Sequence, residues 1–374
     1  MIDDVVERER ERWGVPGIAV GVHEHGEATL RGYGVANVET GEPVTPETSF
    51  RVASITKPMV GTLCLGLGLP LDEPLWDDCT LRHCLSHRIG LDGEPDDPLR
   101  FGDGDDALDR IAGELGSLHR WLPAGELWSY QNAGYWLAGR AAAQAEGATF
   151  EEAMQRRVFE PLGLERTGFD APGAAGHDVS GSPSAERFAR ARRPSGGVVS
   201  TVGDLLRFAE WHFDHRETHE RQTAAVGGDW ALGWGRTASA VYHPGSWGGY
   251  ESLLLVQPDR RFAIVLLTNS ARGGTAITHI VDELLGRKQP ACAERSLDGL
   301  AGTYRRKGQT VRIEPREGGL HAEADEDGEP LPPLWGYPVA DGTFNVPDGE
   351  ARGFRFDFPR PGFIRFGGRL AARS

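Results

Sequence analysis

The chain has 374 residues, of which 39% are hydrophobic and 25% are charged, and its formal net charge is −15. These proportions indicate a globular protein large enough for more than one core. The acidic balance repels phosphate backbones, so nucleic acid is excluded as an expected partner. No apolar run reaches the length of a membrane span, and the first residues, MIDDVVERERERWG, lack the apolar core of a signal peptide. We therefore expect a cytoplasmic protein without a membrane partner.

The cysteines support the same compartment. There are four (Cys64, Cys79, Cys84 and Cys292), too few and too scattered for a disulfide scaffold, and their spacing fits no common zinc pattern. Reduced thiols are expected. Two histidine groupings, His23-Glu24-His25 and the run from His212 to His219, have the look of metal ligands but fall in a polar turn and on a solvated surface. We therefore predict no metal and no cofactor.

The first 286 residues alternate between strand-like and helical patterns. A charged helix over residues 2–13 precedes two β-type runs, 17–22 and 28–38, joined by a polar turn, which predicts a hairpin. Helical spacing follows at 54–65, 107–115, 133–145, 150–159 and 202–213, then three strands at 239–243, 251–256 and 262–268, and a last helix at 275–285. This order predicts an α+β fold in which helices flank an antiparallel sheet, with an all-helical insertion.

The remaining chain reads differently. Residues 287–298 look like a linker, and from residue 299 to 374 short alternating segments are separated by Gly, Pro and Asp clusters without a helical period. This pattern predicts a small all-β module, either a sandwich or a barrel. The predicted domains are thus 1–286, a linker at 287–298, and 299–374.

The first chemical motif is Ser54-Ile55-Thr56-Lys57. A serine hydroxyl needs a base beside it to become a nucleophile, and residues three apart share one face of a helix. Lysine is found at only three positions in the chain, so the lysine at position 57 is not explained by a lysine-rich composition. Taken alone, the tetrapeptide is more often an N-cap serine with an exposed lysine.

The second motif is Ser129-Tyr130-Gln131-Asn132. A tyrosine beside a cationic lysine can relay a proton, and the amide of Asn132 can bind a substrate carbonyl and orient the lysine. The alternative is a buried tyrosine in a turn, with Asn132 capping the helix that follows.

The third motif is His243-Pro244-Gly245-Ser246. Glycine lets a ligand approach the backbone closely, and the N–H of Ser246 could pair with that of Ser54 as an oxyanion hole. On its own, this stretch would be a hairpin turn with a surface histidine.

In this order and at these separations, the three motifs resemble the S-x-x-K, Y-x-N and H/K-x-G motifs of the serine β-lactamase and penicillin-binding-protein-like hydrolases, including the class C β-lactamase-like esterases and peptidases. The resemblance covers residues 1 to about 286, and further matching stretches are Val15-Pro16-Gly17, Gly32-Tyr33-Gly34, Leu85-Ser86-His87, Pro161-Leu162-Gly163-Leu164 and Thr268-Asn269. The final β-module resembles the lipocalin-like barrel that many members carry.

The resemblance implies a serine hydrolase that works through an acyl-enzyme on Ser54. Lys57 and Tyr130 would deprotonate Ser54, with His243 helping Tyr130 to protonate the leaving group. Asn132, Gly245 and Ser246 would bind the substrate. The expected partner is a small ester, amide or peptide, and homo-oligomerisation stays open.

The third motif departs from the family's pattern. His243 stands in place of lysine and Pro244 in place of threonine or serine, at the positions where β-lactamases hold the substrate carboxylate. Neutral histidine and donor-less proline predict weak recognition of an anionic antibiotic, which favours a carboxylesterase-like activity. The alternatives are a D-aminopeptidase or D,D-peptidase, a weak β-lactamase, an acyltransferase, and a catalytically silent binding module of the same fold.

Overall fold

The computed structural model describes residues 2–185, 187–227 and 230–374. The α-helices are α1 (Ile2–Arg12), α2 (Thr56–Gly66), α3 (Leu81–Leu85), α4 (Ala107–Glu114), α5 (Ala133–Glu146), α6 (Phe150–Met154), α7 (Arg193–Gly196), α8 (Val202–Asp214), α9 (Arg216–Thr223) and α10 (Gly273–Leu284). Short 3-10 turns include Ala53–Ile55, immediately before α2.

The β-strands follow the chain as β1 (Gly17–Glu24), β2 (Glu27–Gly34), β3 (Phe50–Arg51), β4 (Pro74–Trp76), β5 (Cys79–Thr80), β6 (Val199–Ser200), β7 (Gly235–Arg236), β8 (Val241–Trp247), β9 (Tyr250–Gln257), β10 (Phe262–Thr268), β11 (Gly302–Arg306), β12 (Gln309–Arg316), β13 (Gly319–Glu326), β14 (Glu329–Pro330), β15 (Leu334–Pro338), β16 (Phe344–Asn345), β17 (Arg355–Arg360), β18 (Phe363–Phe366) and β19 (Arg369–Arg373). Two compact units divide these elements: the first is Met1–Ser86, Asp96–Leu115 and Asn132–Ile280, and the second is His87–Pro95, Gly116–Gln131 and Val281–Ser374.

The first unit is built on a six-stranded antiparallel sheet in the order β2-β1-β10-β9-β8-β7. Every residue of β10 is buried, because the strand is central in the sheet and α8 packs on it and on β1. The helix α5 packs on α4, α6 and α2. The predicted α+β class, with helices around an antiparallel sheet and a helical insertion, is confirmed.

The helix α2 is the centre of the core of this unit. All its residues from Thr56 to Leu65 are buried, because the helix is apolar on nearly every side, as in the interior of a large domain. Its only charged side chain is Lys57, which is fully buried. A buried lysine is costly unless its ammonium group has partners, so its position points to a function.

Among the boundaries that differ from the prediction, two have a clear local cause. The strand β2 ends at Gly34, whose φ of +69° turns the chain, and not at residue 38. The strand β8 continues through Pro244 to Trp247, although a proline normally argues against a strand interior. It is tolerated because β7 pairs only with Val241 and Tyr242, so Pro244 lies where that edge of β8 has no β7 partner to receive an N–H.

The second unit contains a closed barrel. Eight antiparallel strands follow the order β12-β11-β19-β18-β17-β16-β15-β13, and pairing of β13 with β12 closes the ring. The short strand β14 pairs with the end of β13. Its core is formed by alternating inward side chains, among them Tyr304, Phe344 and Phe356. The all-β C-terminal module is thus confirmed as a barrel. The boundaries predicted for the domains and for the linker at 287–298 stay predictions.

Candidate active site

Ser54 lies at the entrance of α2, in the 3-10 turn Ala53–Ile55. The preceding Ala53 has a φ of +46°, in the left-handed region that a side chain with a Cβ rarely adopts. Such strain persists only where the surroundings impose it, and it is concentrated at functional sites. Here Ser252 donates its hydroxyl to the carbonyl of Val52 at 2.9 Å, which fixes the chain just before the strained residue.

The side-chain nitrogen of Lys57 lies next to the Ser54 hydroxyl. Lys57 Nζ is 3.0 Å from Ser54 Oγ and donates to the backbone carbonyl of Ser195 at 2.6 Å. The indole of Trp136 donates to Ser195 Oγ at 3.1 Å, which positions that residue in turn. The i, i+3 spacing therefore places the two side chains together as the sequence predicted. Ser195 was missed, because a backbone carbonyl has no sequence signal.

The third motif runs along β8 beside the serine. A Cβ on Gly245 would lie 2.3 Å from Val52 O, 2.4 Å from Ser252 Oγ and 3.1 Å from the backbone nitrogen of Ser54. Those distances leave no room for any side chain. Glycine is thus required for β8 to approach the turn that carries the nucleophile.

The backbone of Ser246 lies on the open edge of β8. Trp247 and Tyr250 close a two-residue hairpin, and such a closing pair exchanges both hydrogen bonds. The next pair, Ser246 and Glu251, is then of the type whose N–H groups point away from the partner strand. Since β7 ends its pairing at Tyr242, the Ser246 N–H is available on that edge for a substrate oxygen.

His243 is fully buried and neutral. Its Nδ1 donates to the carbonyl of Pro244 at 2.6 Å, and its ring packs edge-on against Trp230, with centroids 5.5 Å apart. Burial, with a further contribution from the positive charge of Lys57, lowers the pKa of His243 from 6.5 to about 3. At neutral pH the third motif therefore presents no positive charge of its own.

Asn132 and Tyr130 belong to different units. Asn132 is at the N-cap position of α5 in the first unit, but its side chain makes no capping hydrogen bond, which removes the capping alternative. Tyr130 belongs to the second unit, where its backbone N–H donates to Gly368 O at 2.8 Å and its ring stacks on His87 with centroids 4.2 Å apart. The guanidinium of Arg369 lies 5.7 Å from the same ring.

The two histidine groupings that have the look of metal ligands contain side chains with partners inside the protein. His23 Nδ1 lies 2.6 Å from Glu210 Oε1, and His212 and His219 bring their Nδ1 atoms within 3.3 Å of each other. In residues 2–185, 187–227 and 230–374, no group of three or more His, Cys, Asp or Glu side chains is arranged to hold a metal ion. Within the same ranges, no helix combines the length and the apolar character needed to cross a membrane.

A serine beside a buried lysine, at the start of a central helix and next to the open edge of β8 in an antiparallel sheet, defines a class of serine hydrolases. Residues 2–284 match the Beta-lactamase family model, and the chain therefore belongs to that family. It is therefore a serine hydrolase related to the penicillin-binding proteins.

The similarity extends to individual proteins. Penicillin-binding protein 4 of Amycolatopsis lactamdurans is 28% identical over 361 residues, which cover 79% of this chain and 94% of that protein. A D-aminopeptidase of Gluconobacter oxydans (strain 621H) is 27% identical over 351 residues, covering 81% of this chain and 66% of that enzyme. The crystal structure of SurE with D-Leu superposes with a TM-score of 0.78 at 23% identity, covering 100% of this chain and 98% of SurE.

Proposed function

We propose that this enzyme hydrolyses small esters or amides through an acyl-enzyme on Ser54. The observation that carries the proposal is the contact between Lys57 Nζ and Ser54 Oγ at 3.0 Å, in a helix whose other buried side chains are uncharged. The second hydrogen bond of the lysine, to Ser195 O, holds the amine in place without offering it a counter-charge. An amine held in this way can accept the serine proton as the nucleophile attacks.

The reaction then follows from the groups around the serine. Ser54 Oγ bonds to the substrate carbonyl carbon, and its proton passes to the Lys57 amine, directly or through Tyr130, whose role rests on its place in the second motif. The carbonyl oxygen becomes an oxyanion that accepts hydrogen bonds from the backbone N–H groups of Ser54 and Ser246. The leaving group departs with the proton, and a water molecule later cleaves the acyl-enzyme by the same route in reverse.

The third motif supports esters over anionic antibiotics as substrates. His243 is neutral and buried, and Pro244 has no hydrogen-bond donor. A penicillin or cephalosporin carboxylate would therefore find no charge at the positions that β-lactamases use for it. We expect His243 to orient the strand from within, as a neutral side chain.

A second candidate is hydrolysis at a D-amino acid. It is favoured by the similarity to the D-aminopeptidase of Gluconobacter oxydans and to SurE, whose crystal structure contains D-Leu. The same Ser54 and Lys57 chemistry would serve either substrate, as it would a weak β-lactamase or acyl transfer to an acceptor other than water.

Rate measurements on one enzyme preparation can decide among these substrate classes. The rates of p-nitrophenyl butyrate, D-amino-acid p-nitroanilides and nitrocefin would be measured on the wild type, on Ser54→Ala and on the matched control Ser239→Ala, whose serine is exposed. We expect the ester to have the largest kcat/KM, Ser54→Ala to lose several orders of magnitude on every substrate, and the control to match the wild type. Near-normal ester turnover by Ser54→Ala would refute the proposal. A wild-type kcat/KM that is larger for a D-amino-acid p-nitroanilide than for p-nitrophenyl butyrate would favour the second candidate.

We also propose that the enzyme works in the cytoplasm. Its four cysteines are free thiols, and Cys64, Cys79 and Cys84 are buried, which fits a reducing compartment. Fractionation of the source cells with an antibody to the chain tests this, and recovery in an extracellular or envelope fraction would contradict it.

A further inference from the structure

One acidic side chain beside the third motif has no role in the reaction described above. Glu251 is the cross-strand partner of Ser246 in the β8–β9 pair, and Ser246 Oγ donates to Glu251 Oε1 at 2.5 Å. Side chains alternate along a strand, so Gly245 and Ser252 point toward the turn that carries the nucleophile, while Ser246 and Glu251 lie together on the other face.

The Ser246 N–H lies on the β8 edge that β7 does not cover, next to the exposed side chains of this face. Pro244 and Ser246 are both exposed, and Glu251 is half-buried beside them. A substrate whose carbonyl oxygen is held by the Ser246 N–H must place some of its atoms next to the Ser246 side chain. In the β-lactamases that the third motif resembles, the positions of His243 and Pro244 on this strand hold the substrate carboxylate, so we place the leaving group beside Ser246.

The Glu251 carboxyl lies beside β10 and the start of α10. Thr268 of β10 donates its hydroxyl to the Glu251 backbone carbonyl, and the start of α10 contributes Gly273 and Gly274. A Cβ on Gly274 would lie 3.3 Å from Glu251 Oε2, so the helix begins directly against the carboxyl. Of the side chains that the structure describes, none that is charged acts on this group, and burial raises the pKa of Glu251 to about 8.

We infer that Glu251 sets the leaving-group specificity of this site: it rejects a leaving group that carries a carboxylate and accepts one that carries an amine or another hydrogen-bond donor. The inference rests on the proposed function and narrows its substrate class. A carboxylate placed beside Ser246 would meet a hydroxyl whose proton is already given to Glu251, a proline without a donor and a buried neutral histidine. An ammonium or amide N–H would instead find an acceptor in the Ser246 hydroxyl oxygen and in the Glu251 carboxyl, which offers two acceptor oxygens once it is ionised.

The pH dependence has a definite sign. Below about pH 8 the carboxyl is protonated and the pair with Ser246 is uncharged, so neither an anionic nor a cationic leaving group meets a charge at Glu251. Above about pH 8 the carboxyl is ionised, and its negative charge then repels an anionic leaving group and attracts a cationic one. The preference for the cationic substrate should therefore grow with pH.

The test uses butyrate esters of three alcohols: choline, 2-methoxyethanol and glycolate, which give a cationic, a neutral and an anionic leaving group. Their kcat/KM values would be measured from pH 6.5 to 9.5 for the wild type, for Glu251→Gln, and for Glu220→Gln as a control at an exposed glutamate. In the wild type and the control, we expect the choline-to-glycolate ratio to rise at least about tenfold across this range. In Glu251→Gln the ratio should be smaller and should not change with pH.

A wild-type ratio that stays flat with pH, or a ratio that Glu251→Gln leaves unchanged, would overturn the inference while leaving Ser54 chemistry intact. The wild-type pH profile needs no variant, so poor folding of Glu251→Gln would not obscure the result. If the neutral ester is not turned over at all, the proposed function has failed. Glu251 is then judged by thermal shift with 3-aminomethyl- and 3-carboxyphenylboronic acid, which bind active serines without turnover: stronger binding of the amine supports the inference, and equal or weaker binding overturns it.

Discussion

At the scale of single residues, the account depends on where one proton goes. The contacts of Lys57 Nζ include Ser54 Oγ and Ser195 O, both oxygens without formal charge, and the ring of Tyr135, whose centroid is 5.3 Å away. None of these three groups stabilises a permanent ammonium as a carboxylate would, so the amine is well placed to exchange a proton during the reaction.

We predict that Lys57→Arg loses at least about a thousandfold in kcat/KM, because a guanidinium stays protonated at any working pH and cannot accept the serine proton. Tyr130→Phe should lose most activity as well, and the double variant should be little worse than either single variant if the two residues share that proton. Initial rates on p-nitrophenyl butyrate measure all three. Losses that multiply independently would exclude a shared proton.

The residue scale also shows what the sequence could reveal about the site. Ser54 and Lys57 were predictable as a pair because i, i+3 spacing places them on one face of a helix. Ser195 and Ser252 were not, since one contributes a backbone carbonyl and the other holds Val52 from a neighbouring strand. Glu251 was missed for a related reason: its significance lies in its strand register opposite Ser246, which depends on the hairpin turn at Gly248 and Gly249.

At the scale of elements, the approach of β8 to the start of α2 is the decisive contact. Gly245 permits it, because any Cβ there would overlap Val52 O and Ser252 Oγ. The helix and the strand were both predicted, but their boundaries were not. The strand pattern ended at His243, because a proline normally interrupts a strand, and only the short β7–β8 pairing, which stops at Tyr242, shows that Pro244 lies on an open edge.

We predict that Gly245→Ala lowers kcat by roughly a hundredfold, because the added methyl group pushes β8 and the Ser246 N–H away from the nucleophile. The matched control is Gly66→Ala at the end of α2, where an added Cβ meets no atom within 4 Å. That control should keep full activity and be stabilised by up to about 1 kcal/mol, since alanine is the better helix former. Equal activity of the two variants would show that the close approach is not needed.

At the scale of the whole molecule, buried neutral histidines link stability to pH. Burial lowers the pKa of His243 to about 3 and of His219 to about 4, and it also lowers the pKa of His212. The unfolded chain binds these protons near pH 6.5, whereas the native state does not. The free energy of unfolding therefore decreases as pH falls from about 6.5 toward 4.

The change His243→Asn removes one of these groups. We expect the variant to lose less stability between pH 7.5 and pH 4.5 than the wild type does, in urea unfolding followed by tryptophan fluorescence. His25→Asn serves as the control, because that side chain is 89% exposed, and it should track the wild type. A slope for His243→Asn equal to that of the wild type would show that His243 is protonated in the native state.

The alternating hydrophobic pattern of the sequence predicted an all-β module. The closure of the barrel was not predictable, because the β12–β13 pairing that completes the ring joins two strands and has no signal in either segment alone. Its role in the second unit is visible in the contacts of β18 and β19. Gly368 accepts a hydrogen bond from the Tyr130 N–H, and the Leu370 N–H donates to Ser129 Oγ at 3.1 Å.

We predict that a chain ending at Leu297 has a lower melting temperature and reduced kcat/KM, because the segment around Tyr130 loses these partners. Differential scanning calorimetry and ester kinetics measure the two effects. Unchanged stability and substrate preference would show that the barrel is an independent appendage.

The most direct test of the whole account is the site of covalent labelling by a fluorophosphonate, read by intact mass and peptide mapping. We predict one adduct per chain, on the peptide that contains Ser54, absent in Ser54→Ala and much slower to form in Lys57→Arg. An adduct on another residue, or one that persists in Ser54→Ala, would contradict the assignment of the nucleophile.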